Sequence, residues 1–269
     1  MTEQGVAHAT ANEARAQDPF VAYYERESIS AETHRRFTQT RDLILRVQAG
    51  VRAQGPLRVA DIGCGAGTFS RIWAESGCVV SGIDVNTDLI EIARKRTVSA
   101  GLSVEYFVGT AQQLPWESDT FDIVMLPELL EHVEDWHGCL QDSARVLRKG
   151  GVLYVSTSNW LCPVQHEYDL PLYSWYPAPV KRRCVQLALT KHPEWVSHAK
   201  YPAIHWFSPY GLGRVFSGLG LDVLDRFDLI ARYAEDRRQK VARVIRAVPP
   251  LKFLGHVMTP YTQLVGRKR

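Results

Sequence analysis

Asp61-Ile62-Gly63-Cys64-Gly65-Ala66-Gly67 sets three glycines at alternate positions behind a carboxylate, and Asp84 follows 17 residues after the last of them. Glycines in this pattern remove the side chains that would hold a ligand away from the backbone. A carboxylate at the end of the next strand can accept hydrogen bonds from both hydroxyls of a ribose. The dinucleotide fingerprint is G-x-G-x-x-G, whereas this loop is G-x-G-x-G, and no second half-domain for a nicotinamide is visible.

A second group of reactive side chains lies in Pro127-Glu-Leu-Leu-Glu-His-Val, where Glu128, Glu131 and His132 stand at i, i+3 and i+4. On a helix this spacing puts all three on one face. The set has two chemical readings: it holds a divalent metal that acidifies an acceptor hydroxyl, or His132 is a general base steadied by a carboxylate such as Glu131. A plain helix start enriched in acids explains the same residues without chemistry.

These residues need a scaffold, and the rest of the chain supplies its pattern. After an arm over residues 1–17, residues 18–54 read as helical up to the punctuation of Gly55-Pro56. LRVADIG, CVVSGIDV, SVEYFVG, FDIVMLP and VLYVSTS are five apolar strands. Between them lie a helix over GTFSRIWAES stopped by Gly77, and a second from Asn86 to Ser99 capped by Asn86 or Thr87. A third helix starts near Glu128, and another ends at Lys149-Gly150-Gly151. Strands alternating with helices predict right-handed βαβ units and a doubly wound, mostly parallel α/β sheet of seven strands. Ser208-Pro209 opens a further helix, LDVLDRFDLI reads as the sixth strand and PYTQLVGRKR as the last.

Residues 55–159 form the predicted ligand-binding core, and D-I-G-C-G-A-G, Asp84, L-P-W at 114–116, F-D-I-V at 121–124 and V-L-R-K-G-G at 146–151 resemble the class I S-adenosylmethionine-dependent methyltransferases. The resemblance covers about residues 57–158 and implies a Rossmann-like fold with S-adenosylmethionine as methyl donor and S-adenosylhomocysteine as product. It implies Gly63, Gly65 and Gly67 against the methionine portion, Asp84 on the ribose, and Thr110, Ala111 and Gln112 beside the adenine. Many relatives carry Asp where Thr110 stands. Asp61, Cys64, Val85 and Leu126 complete the expected cofactor set. Glu-x-x-Glu-His-Val resembles, more narrowly, the ubiquinone-biosynthesis O-methyltransferases, which implies Glu128, Glu131 and His132 as ligands of a divalent cation. Imidazole suits zinc or manganese better than magnesium.

The regular alternation breaks over residues 160–205, an insertion carrying Trp160, Trp175 and Trp195 with His166, His192, His198 and His205. Aromatic clusters bury large apolar areas with a polar rim, so the segment reads both as a cap over an aromatic or lipophilic acceptor and as its own small core. His205, just before the Trp206-Phe207-Ser208-Pro209 return, is a candidate base alongside His132, since related methyltransferases often carry a histidine there. Residues 206–269 complete the sheet. The implied reaction is O-methylation of a phenolic, quinol-like or other lipophilic hydroxyl. N- or C-methylation of a small molecule, and a cofactor-binding scaffold without turnover, are the alternatives.

Bulk properties narrow the rest. The chain of 269 residues is 45% hydrophobic and 23% charged, an ordinary globular balance. No apolar run reaches the roughly 20 residues of a membrane span. The five cysteines are scattered without a C-x-x-C pair, which suggests a reducing, cytoplasmic setting. From Ala231 onward ten Lys or Arg face only Glu235 and Asp236, an excess of eight that leaves the rest of the chain at −5 against a total of +3. An acidic body and the lack of an N-P-P-[YFW] motif argue against nucleic-acid substrates. VARVIRAVPPLKFLGHVM interleaves apolar residues with Arg243, Arg246 and Lys252, as a segment lying on the inner face of a membrane would. Packing against the sheet explains the same stripe and is the preferred expectation.

Overall fold

A computed structural model describes residues 28–49, 55–165, 168–192, 195, 203–234 and 236–269. The expected arm at 1–17 and the insertion histidines His166 and His198 lie outside the described residues, as does most of the segment preceding α1 (Ala31–Gln48).

The sheet has seven strands: β1 (Arg58–Ile62), β2 (Val79–Asp84), β3 (Glu105–Val108), β4 (Phe121–Pro127), β5 (Leu147–Ser158), β6 (Leu221–Asp225) and β7 (Tyr261–Lys268). Their order is β3-β2-β1-β4-β5-β7-β6. β1 to β5 run parallel, and β7 pairs antiparallel with both β5 and β6. The predicted doubly wound, mostly parallel sheet is therefore present.

Both faces are buried, and the period-2 alternation of a strand decides which side chain goes where. Val59, Ile123, Met125, Val152, Tyr154 and Val265 face one side, packed by α1, α2 (Thr68–Glu75) and α7 (Arg226–Tyr233). Ala60, Val124, Leu126, Leu153, Val155 and Leu264 face the other, against α4 (Trp136–Val146) and α6 (Pro209–Gly218). α3 (Thr87–Ser99) covers the β2–β3 edge through Ile90 and Ala93. Asn86 caps α3 by accepting from the amides of Asp88 and Leu89, and Ser208 caps α6 by accepting from Gly211, as their residue types predict.

Three boundaries differ from the sequence reading. No helix starts near Glu128; residues 128–135 are turns, and α4 begins at Trp136 behind the capping carboxylate of Asp135. Glu131 explains why: its carbonyl, which would accept from residue 135 in a helix, is taken by the amides of Ile204 and His205. α4 ends at Val146 rather than at Lys149-Gly150-Gly151, because Leu147 already pairs with Phe121 and its carbonyl accepts from the Lys268 ammonium. LDVLDRFDLI is strand only as far as Asp225, where a reciprocal capping box with Asp228 starts α7.

The insertion contains a short 3₁₀ turn (Tyr173–Trp175) and α5 (Ala178–Thr190). Tyr168, Tyr173 and Ala188 form its private core, and the Lys181 ammonium sits 4.3 Å over the Trp206 ring. The basic segment forms α8 (Arg237–Ala247) and α9 (Pro249–Val257). The expected packing of its apolar stripe on the sheet is not found: Val241, Val244, Phe253, Leu254 and Met258 are all at least half exposed.

Candidate functional site

The loop between β1 and α2 turns through positive φ at Gly63 (73°), Gly65 (51°) and Gly67 (74°), a region an L side chain enters only at a cost. A β-carbon on Gly63 would meet the Leu129 side chain at 2.8 Å, and one on Gly67 would meet the Tyr106 hydroxyl at 2.5 Å. The loop is thus pressed against β3 below and against the turn after β4 above. The amides of Gly63 and Cys64 donate to the Ile83 carbonyl, which ties the loop to the strand that carries Asp84.

Asp84 is the pivot of the site. Its two carboxylate oxygens accept from the amides of Gly65 and Asn86, each at 2.9 Å. Burial pushes its carboxyl above the usual carboxylate range, against those stabilising backbone bonds. Each oxygen keeps accepting capacity beyond its one bond.

A cleft of about 400 Å³ opens at the carboxyl ends of β1, β2 and β4. That is within the usual range for small-molecule sites, at the place where open α/β sheets bind ligands. It brings together Gly63, Gly65, Asp84 and Val85 with Thr110, Ala111 and Gln112, and with Glu128 and His132. Asn86, Leu89, Leu129, Val133 and Glu134 also line it and were missed. Only Asn86 carried a signal, its helix cap.

The remaining expected cofactor residues lie behind this wall. Cys64 and Leu126 are buried in the packing under the loop and sheet, and Gly67 starts α2. Asp61 is wholly buried; one oxygen accepts from the Ser70 hydroxyl at 2.6 Å and the other has no partner. Burial, offset in part by Ser70 and reinforced by Asp84, lifts its carboxyl to about 6.

The second cluster is arranged differently from the helix face expected of it. Glu128 follows the end of β4 with a φ of 53°, unusual for a side-chain-bearing residue, and its amide donates to the Ser156 carbonyl. Its carboxylate is clasped by the Arg36 guanidinium of α1 at 2.6 and 3.4 Å. Glu131 points into the interior, accepts from the Thr157 hydroxyl at 2.7 Å and has no exposed surface. Burial lifts its carboxyl to about 7. His132 is half-buried at the cleft, with Nδ1 unpartnered. Among the described residues no group of three potential ligands converges on a metal position. The expected metal set Glu128, Glu131 and His132 is therefore not assembled, because the turn sends the three side chains in different directions.

His205 donates from Nε2 to the Glu134 carbonyl at 3.2 Å and lines a separate cavity with Trp160, Trp175, Lys181 and Trp206. That cavity of about 880 Å³ lies within the insertion and shares no residue with the cleft. An adjoining cavity of about 470 Å³ does share one, Glu128. It is bounded by α1, the carboxyl ends of β4 and β5, the start of β7 and α7, and its walls include Phe37, Phe69, Leu229, Tyr154, Arg36 and Arg226. Sequence reasoning missed it entirely, since Arg226 lay inside an expected strand.

The loop, its carboxylate and the β4 turn coincide with a known domain: residues 60–155 match the family described as methyltransferase domain. The chain carries a methyltransferase domain. The ubiquinone biosynthesis O-methyltransferase of Haemophilus ducreyi (strain 35000HP / ATCC 700724) is 36% identical to this chain over 107 residues, 38% of this chain and 45% of that protein. The protein of the same name from Rhizobium rhizogenes (strain K84 / ATCC BAA-868) is 43% identical over 103 residues, 38% of this chain and 42% of its own length. The chain thus spans less than half the length of the curated relatives it matches. The crystal structure of an S-adenosylmethionine dependent methyltransferase from Mesorhizobium loti superposes with a TM-score of 0.53 at 20% identity, over 83% of this chain and 96% of that one. This likeness extends the shared fold well beyond the methyltransferase domain. No helix among the described residues is long and apolar enough to cross a membrane.

Proposed function

We propose that the protein transfers a methyl group from S-adenosylmethionine to a hydroxyl of a phenolic or quinol-like small molecule. The observation that carries this reading is Asp84, a buried carboxylate fixed by two backbone amides between the glycine loop and the Thr110–Gln112 segment in one cleft. Its free lone pairs suit a ribose diol, and Gly63 and Gly65 line the same cleft, where a methionine tail would lie against them. When bound, S-adenosylmethionine supplies a methyl group on a positively charged sulfur, which leaves as the neutral thioether once an acceptor oxygen attacks the methyl carbon in line.

The chain's own part in this chemistry is alignment and proton removal. Holding both reactants in line is worth about 7–11 kcal/mol of barrier in favourable cases. His132 lines the cleft and would take the acceptor's proton through the ring edge that faces it, its Nδ1 being buried without a partner. Glu131, wholly buried, acts by positioning the turn that carries His132, through its carbonyl and its Thr157 bond. His205 holds the Glu134 carbonyl at the base of the same turn. The acceptor's place is the cavity beyond Glu128. The O-methyltransferase relatives support oxygen over nitrogen or carbon as the acceptor atom.

The exposed apolar faces of α8 and α9 also support a peripheral contact with an anionic membrane surface, since the exposed Arg243 stands among them.

Titration calorimetry with S-adenosylhomocysteine tests the central claim. The wild-type protein is expected to bind it, and Asp84→Ala to lose about two orders of magnitude in affinity, the value of two charge-assisted hydrogen bonds. Absence of binding to the wild type overturns the reading.

A further inference from the structure

Arg226 is the first residue of α7 and lines the cavity beyond Glu128. Its Nε is buried without a hydrogen-bond partner, and among the described residues its guanidinium joins no ion pair. The carboxylates nearest in sequence are already engaged. Asp225 holds Lys252 and His256, and Asp228 holds Arg246 and Lys252. Glu128, on the same cavity wall, is clasped by Arg36. A guanidinium carries its charge at any physiological pH, and this one is half-buried without a counter-ion, which is a standing cost. Burial accordingly pulls the Arg226 value down.

The surroundings indicate what would relieve that cost. Phe37, Leu43, Phe69 and Leu229 give the cavity apolar walls, and four arginines line it against only Asp42 and Glu128. The Tyr154 hydroxyl accepts from the Gln263 amide at 3.3 Å on the same wall and can donate to an incoming oxygen. The cavity meets the methyl-donor cleft at Glu128, which lines both, and Arg226 of α7 lines the cavity but not the cleft.

Resting on the methyl-transfer reading, we infer that the acceptor is an aromatic hydroxy acid whose carboxylate is received by Arg226 while its hydroxyl faces the cleft past Glu128. The bidentate geometry of a guanidinium fits a carboxylate, and the apolar walls fit the ring that joins it to the hydroxyl. This makes Arg226 a specificity-determining residue that touches substrate without taking part in bond making.

The test titrates the full chain, free of cofactor, with 3,4-dihydroxybenzoate, with its uncharged counterpart 4-methylcatechol, and with inorganic phosphate. The dihydroxybenzoate is expected to bind about ten- to a hundredfold more tightly than 4-methylcatechol, the value of one charge-assisted contact. In Arg226→Met that preference disappears while 4-methylcatechol binding stays. Phosphate binding more tightly than the benzoate, and lost in Arg226→Met, keeps the anion site and overturns the assignment to a carboxylate. Equal binding of the two catechols, a charge preference that survives in Arg226→Met, or no binding of any probe at millimolar concentration overturns the inference. Thermal unfolding provides a second reading: without ligand, Arg226→Met is expected to melt higher than the wild type because a half-buried charge without a counter-ion has gone. A lower melting temperature would make Arg226 a structural residue and end the proposal. S-adenosylhomocysteine titrated into the same preparations tests the methyl-transfer reading separately, since the acid is titrated without it.

Discussion

Glu131→Gln offers a stability test with a definite sign. Burial lifts the Glu131 carboxyl from 4.5 to about 7, so the folded protein holds a proton there that the unfolded chain has already released. Stability therefore falls as pH rises through the window between those two values. The full difference, about 2.5 pK units at 1.36 kcal/mol each, is about 3 kcal/mol. Below the window the side chain is neutral in both states and the penalty vanishes. The substituted glutamine never ionises, so the variant escapes the penalty at every pH. It keeps an oxygen to accept from Thr157, and its amide nitrogen falls where the second glutamate oxygen already lacks a partner. The variant is thus expected to be close to the wild type at pH 4.5 and about 3 kcal/mol more stable at pH 8. Urea unfolding of both proteins across that range measures it. Asp61, raised to about 6 by the same burial effect, lowers stability with rising pH in both proteins and cancels in the difference. A difference that stays flat with pH, or one that favours the wild type at high pH, would refute the argument, since it would mean that Glu131 has a charge partner or water access in solution.

Gly67→Ala forces a side chain into a left-handed backbone against Tyr106 and Ala93, and is expected to cost about 1–3 kcal/mol in unfolding free energy; an unchanged urea midpoint would count against the loop geometry. His132→Ala is expected to lower the rate of labelled methyl transfer into small molecules of a cell extract by about 10²–10⁴-fold with S-adenosylhomocysteine affinity retained. A loss of under about threefold would remove His132 as the proton acceptor. The wild type is expected to co-sediment with vesicles of anionic lipid at low salt, and the Phe253→Glu, Leu254→Glu double variant to stay in the supernatant. If neither sediments, α8 and α9 have some other partner.

What could be read from the sequence divides along a physical line. The core was legible because parallel strands buried on both faces must be continuous apolar runs, and because the positive φ values at 63, 65 and 67 favour glycine. Those are local constraints, and they place Asp84 as surely as they place β2. LDVLDRFDLI was misread although its signal is also local: Asp225 and Asp228 stand three apart, a capping box, but the apolar residues around them look continuous with the strand.

The turn after β4 was illegible for a different reason. Glu128, Glu131 and His132 have helical spacing, and nothing close to them in the sequence forbids a helix. The helix is lost because the amides of Ile204 and His205, more than 70 residues away, take the carbonyl it would need. The same long-range competition that breaks the helix also splits the three side chains, sending Glu128 to Arg36, Glu131 to Thr157 and His132 to the cleft. A spacing argument could not separate those destinations, and so it supported a metal site that the folded chain does not build. It also hid the wall between two cavities. Glu128 stands on that wall only because its backbone enters the left-handed region, where Arg36 from α1 can reach it. The place where donor and acceptor would meet is thus set by a contact between the first described helix and the end of the fourth strand, 92 positions apart.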